Sequence, residues 1–118
     1  MELPDRNNVY AVIVCDARLA KLAELLVTLF RVPDDSVSIK TSQFNGAQTL
    51  RFYAPSAEFT AHPGLTDGEF LLNGAVAGND DDVRGVAISL YQALFRGGFR
   101  PQLDAYGADG GCVVEFDA

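Results

Sequence analysis

The second half of this chain repeats the first in weakened form, and that recurrence narrows the folds open to it. Leu25, Leu29, Phe30 and Arg31 return 65 positions later as Leu90, Leu94, Phe95 and Arg96, and Asp16 returns as Asp81. After a one-residue slip, Asn45-Gly46 aligns with Asp109-Gly110, and Phe52 and Ala54 align with Phe116 and Ala118. The matches fall on a helix start, a helix face, a tight turn and the strand behind it. Such a pattern predicts two copies of one supersecondary unit. Residues 8–54 would form the first copy, 55–68 the join, and 69–118 the second, within a single domain.

Each copy reads as strand, helix, hairpin. Val9 to Cys15 is apolar at both alternating sets of positions, as in a central strand covered on both sides. Asp16 is placed to cap the following helix. Leu19, Leu22, Ala23, Leu26, Leu29 and Phe30 recur at helical spacing until Val32-Pro33 stops the run. Val37 to Thr41 and Thr49 to Tyr53 alternate with period two around Asn45-Gly46, which predicts a type I′ hairpin. In the join, Ala57 to Ala61 reads as a short extra edge strand.

The second copy begins with a strand over Glu69 to Ala77, weakened by Gly74. Asn79 to Asp82 starts the second helix, with three aspartates at the positive end of its dipole. Val83, Val86, Ala87, Leu90, Tyr91, Leu94 and Phe95 form its expected buried stripe, with Ile88 just outside. Gly97-Gly98 ends it. Gln102 to Tyr106 and Cys112 to Phe116 make the closing hairpin. The expected fold is α+β: tandem β-α-β-β units in a mixed or antiparallel sheet of about six strands, with two helices on one face.

Charge divides the chain unevenly. Six acids and six bases cancel through Ala54, whereas ten acids face three bases from Pro55 onward, so the formal net charge of −7 belongs to the second part. Such a field repels nucleic acid and attracts basic partners. The longest apolar run is too short to span a bilayer, and the opening residues lack the basic head and apolar stretch of a signal peptide, so no membrane partner and a cytoplasmic location are expected. Cys15 and Cys112 lie in apolar runs and read as reduced core thiols. With one histidine and two distant cysteines, no metal site and no cofactor are expected. His62, in Thr60-Ala-His-Pro-Gly64, reads as a surface-loop residue without a catalytic companion.

Two segments resemble known families. Arg84-Gly-Val-Ala-Ile-Ser89 resembles the coenzyme A-binding signature of acyltransferases, where helix N–H groups hold a pyrophosphate, although Ala87 and Ser89 replace glycines. The tandem units, with Asp16 and the ending Asp109-Gly-Gly-Cys-Val-Val-Glu115-Phe, resemble vicinal-oxygen-chelate proteins, and that resemblance would place Glu115 at a metal-ligand position. The histidine that family carries on its first strand is absent. A metal-free sequestering protein, or a small-molecule binder akin to gyrase-inhibitor proteins, is the alternative expectation. Tyr53, Tyr91 and Tyr106 would then line a cleft between the copies.

No catalytic constellation is present in the sequence, so the chain is expected to be a non-catalytic binding protein. Its acidic part would engage a basic protein partner, as inhibitors and immunity-type proteins do. Asp80, Asp81, Asp82, Asp104, Asp109, Glu115 and Asp117 are the expected contact residues. A homodimer through a free sheet edge is a further expectation.

Overall fold

The computed structural model describes residues 2–14 and 19–117. The expected Asp16 cap and the thiol of Cys15 lie outside the described residues. Two helices pack on an antiparallel sheet of seven strands. In chain order these are β1 (Val9–Val14), α1 (Leu19–Phe30), β2 (Val37–Thr41), β3 (Gln48–Ala54), β4 (Ala57–Pro63), β5 (Glu69–Val76), α2 (Asp80–Arg96), β6 (Arg100–Tyr106) and β7 (Cys112–Phe116). A single 3-10 turn, Asp34–Ser36, precedes β2. The sheet order is β2-β3-β4-β5-β1-β6-β7.

That order differs from the expectation in two respects. There are seven strands and not six, and β4 is an interior strand between β3 and β5 instead of an edge. Its alternating Ala57, Phe59 and Ala61 are buried, so short side chains let it sit between longer neighbours. The two helical crossovers are also unequal. α1 carries the chain from β1 past β5, β4 and β3 to β2, whereas α2 carries it from β5 past β1 alone to β6.

Cross-strand register turns the sheet into rows. Ile39, Leu50, Ala61, Leu72, Ala11, Leu103 and Phe116 lie side by side across all seven strands. Val37, Phe52, Phe59, Gly74, Val9, Ala105 and Val114 form a second row two residues along. Both rows point to the helices, because strand side chains alternate with period two. α1 lies over β2 and β3, α2 over β6 and β7, and the helices touch each other. Phe30 of α1 sets its ring at a tilt to those of Phe52 and Phe59, with centroids 5.3 and 5.7 Å away. Tyr91 of α2 lies nearly parallel to Phe116 at 4.1 Å.

Helix α1 buries Leu19, Leu22, Ala23 and Leu26, with Leu29 and Phe30 half-buried at its end. Helix α2 buries Val83, Ala87, Leu90 and Leu94, whereas Phe95 is 66% exposed. Cys112, at the start of the edge strand β7, is exposed, which corrects its expected burial. His62 stands half-buried on β4, not in a loop. The hairpin at 42–47 is wider than a type I′ turn, which corrects that expectation. Only Gly46 takes positive φ, and the Asn45 side-chain oxygen accepts the Ala47 N–H at 2.9 Å.

Gly74 has a packing reason for lacking a side chain. A Cβ there would collide with the Phe59 ring and the Glu58 carbonyl. Gly74→Ala should therefore lower stability by about 1–3 kcal/mol through overpacking. Urea unfolding followed by circular dichroism measures this, and an unchanged midpoint would refute the packing role.

Candidate functional site

Both helices occupy one face, so the other face of the sheet and the ends of its strands are open. At one end, the segment before β1 crosses in front of the β6–β7 turn and bounds a cleft of about 890 Å³. Asn8 fixes this segment by acting as an extra rung of β1. Its backbone N–H donates to the Gly74 carbonyl at 2.9 Å, and its carbonyl accepts from the Tyr106 N–H at 2.8 Å. Its side-chain amide does the same toward Val76, donating at 2.9 Å and accepting at 2.8 Å. Tyr10 adds a hydrogen bond from its hydroxyl to the Asn7 carbonyl.

Glu2, Asp5, Asp104 and Asp109 line the cleft, and Arg6 is the single cation among its described lining residues. Tyr10 and Tyr106 meet edge to face beside it, with ring centroids 5.9 Å apart. Acids and aromatic faces together suit a cationic guest, which gains from the charge and from the ring quadrupoles. Asp104 and Glu115 stand directly opposite each other on β6 and β7. Like charges so placed oppose each other, and an incoming cation relieves them. Asp104 first, then burial, Cys112, Glu115 and Tyr10, hold the Tyr106 phenol above its ordinary pKa.

The expected contact residues divide by what their carboxylates already do. Asp82 forms a capping box with Asn79, the two side chains accepting each other's backbone N–H at 2.9 and 3.0 Å. Asp81 pairs with Arg84 at 2.7 Å, and Asp80 accepts the Ala108 N–H at 3.1 Å, tying α2 to the β6–β7 turn. Asp109 accepts the Gly111 N–H at 2.8 Å within that turn while also lining the cleft. The triplet opening α2 makes these internal bonds while all three of its residues stay exposed. Asp104 and Glu115 project from the open face, and Asp117 borders the same depression as Tyr10, Val12 and Asp104.

Glu2, Asp5, Tyr10 and the Asn8 clamp were not legible as site residues. They reach the cleft only because β1 pairs with β6, a contact between distant parts of the chain. The alternation of Tyr10 with buried Val9 and Ala11 was the one available signal. The three tyrosines expected in a common cleft are dispersed. Tyr53 lies on the open face of β3, Tyr91 packs against Phe116, and only Tyr106 lines the cleft. The acyltransferase-like segment from Arg84 to Ser89 begins after the first turn of α2, where N–H groups bond within the helix. Among the described residues, no group of three metal-ligating side chains occurs, and Glu115 is not part of one. No described helix is long and apolar enough to cross a membrane.

Removing the Asp104 charge should bring the Tyr106 titration down toward the ordinary tyrosine range. Ultraviolet titration of Asp104→Asn against the parent chain, with Tyr106→Phe to assign the transition, measures this. The raised pKa means that the stability tied to the neutral phenol is present below the ordinary tyrosine pKa. It is lost as pH climbs through the raised one, and Asp104→Asn should shrink that loss. No model of a protein family matches the chain, and no curated protein matches it.

Proposed function

We propose that this chain is a non-catalytic binding domain that takes a cationic segment of a basic protein partner in the cleft at the β6–β7 turn, as an inhibitor or immunity-type protein does. One observation carries the reading: four carboxylates and two tyrosine rings converge on one open cleft to which the described residues bring a single cation. A lysine or arginine side chain entering there would lie against the Tyr10 and Tyr106 rings and neutralise Asp104. The acids of the second part of the chain would steer its approach, so binding would be fast and salt-sensitive. The same reading takes the second strand-helix-hairpin run as a diverged copy in which acids accumulated.

A small-molecule guest is a weaker match to this cleft. Pockets for such ligands are mostly apolar and enclosing, whereas this one is open and rimmed with charge.

Titration of the isotope-labelled protein with a lysine- and arginine-rich peptide tests the reading. Amide shifts should centre on Gly107, Ala108 and Gly110, and the affinity should fall steeply with added salt. Combining Glu2→Gln, Asp5→Asn and Asp104→Asn should weaken binding about tenfold or more. Shifts spread evenly over the surface, or a variant that binds as well as the parent, would overturn it.

A further inference from the structure

We propose that the helix-free face of the sheet is the interface of a two-fold homodimer, with the two sheets packed face to face. This goes beyond the cleft at one end of the strands, and it takes up Tyr10, Tyr106 and Asp104 of the cleft lining, so that a second copy and a basic segment compete for these three side chains. The first observation is the composition of the face. Its central row is Ser38, Arg51, Thr60, Asn73, Tyr10, Asp104 and Glu115, in spatial order across all seven strands. The neighbouring row runs from Lys40 and Thr49 through His62, Leu71 and Val12 to Gln102. Asp117 lies beside Gln102. Apolar and small polar side chains thus fill the middle, bases lie toward the β2 edge, and acids toward the β7 edge.

The second observation is that this pattern is its own complement. For two sheets packed face to face, the two-fold axis must lie in the plane between them. An axis parallel to the strands and over β5 reverses the strand order, so β3 faces β6 of the other copy and β2 faces its β7. Arg51 then faces Asp104, Lys40 faces Asp117, and Thr60 faces Tyr10. Tyr53, 51% exposed on the same face, meets the ring of Tyr106, while Leu71 and Asn73 meet their own copies on the axis. An axis across the strands would instead set acids on acids. Glu69 falls near the strand-parallel axis, but its carboxylate is turned into its own loop, accepting from the Leu65 N–H and the Thr66 hydroxyl at 3.2 Å. Glu58 and Arg100 lie near the ends of their strands, away from the centre.

Size and pairing agree with this occupant. Seven strands about 4.8 Å apart and about 20 Å long present roughly 600 Å² per copy. Two such faces bury about 1,200 Å², the lower bound for a specific stable interface. Among the described residues the one ion pair is Arg84–Asp81, so Lys40, Arg51, Asp104, Glu115 and Asp117 make no ion pair within the described part of one chain. Isologous pairing supplies each of these bases with a carboxylate twice over.

Sedimentation equilibrium across micromolar to millimolar protein, at low and high salt, reads the association directly. The parent chain should dimerise, more weakly in high salt. Arg51→Asp alone and Asp104→Arg alone should each raise the dissociation constant by roughly tenfold or more, whereas the double variant should recover dimerisation. The two positions are about four strand spacings, or 19 Å, apart within one chain, so recovery cannot arise inside a monomer. Leu71→Lys, which sets like charges on the axis, should abolish the dimer while circular dichroism stays unchanged. A parent chain that remains monomeric, or a double variant that fails to recover, overturns the proposal. Association indifferent to all of these substitutions also overturns it, and moves the contact to the free edge of β2 or β7.

Discussion

Strand β1 is hydrogen-bonded along both sides, to β5 on one and β6 on the other, and every other feature of the molecule is arranged around that double pairing. Without it the chain would hold two separate sheets, β2-β3-β4-β5 and β6-β7, each with one helix and too little apolar surface to bury. With it, Ala11 lies between Leu72 and Leu103, and Val9 between Gly74 and Ala105, so the two helix layers share one core. Asn8 extends the same pairing by one residue through its backbone, to Gly74 and Tyr106, and its side-chain amide adds two bonds to Val76. That rung also holds the segment that lines the cleft, so the same hydrogen bonds serve the sheet and the cleft wall.

Local chemistry was legible in the sequence, and long-range pairing was not. Both helices stand where their 3.6-residue stripes put them, because Leu and Ala at helical spacing admit one buried face. The closing hairpin and its Asp109-Gly110-Gly111 turn were equally plain, with Gly110 at positive φ. The interior position of β4 was hidden because strand order depends on partners far away in the chain. Phe95 and Cys112 were misjudged for a related reason. Each continues an apolar pattern, yet Phe95 stands exposed in the last turn of α2 and Cys112 stands exposed at the start of the edge strand β7. The uniform apolarity of Val9 to Val14 predicted cover on both faces, while one chain supplies helices on one face only.

Aspartates gathered at a helix start look alike in sequence but do different work. Asp82 satisfies backbone donors that would otherwise be orphaned, and Asp80 joins α2 to the β6–β7 turn, so both carry structural bonds at the cleft's rim. Asp104 was indistinguishable from them by composition. Its distinction is register: alternation on β6 turns it to the open face, and pairing sets it opposite Glu115. Which carboxylates reach the open face of the sheet is therefore decided by strand geometry and not by local acid density.

The uneven charge of the sequence becomes a spatial polarity through the topology. The hairpin β2–β3, from the neutral first part, forms one flank of the sheet, and β6–β7, from the acidic second part, forms the other. A random placement of nine bases and sixteen acids would give a diffuse negative surface that repels its own kind. Here the bases Lys40 and Arg51 lie on β2 and β3, four or more strand spacings from Asp104 on β6 and Glu115 on β7. Separation of that kind forgoes ion pairs within the chain. It has a physical use when the opposite charges are met by another molecule that carries the reverse polarity, and a second copy turned about the strand direction is the simplest molecule that does.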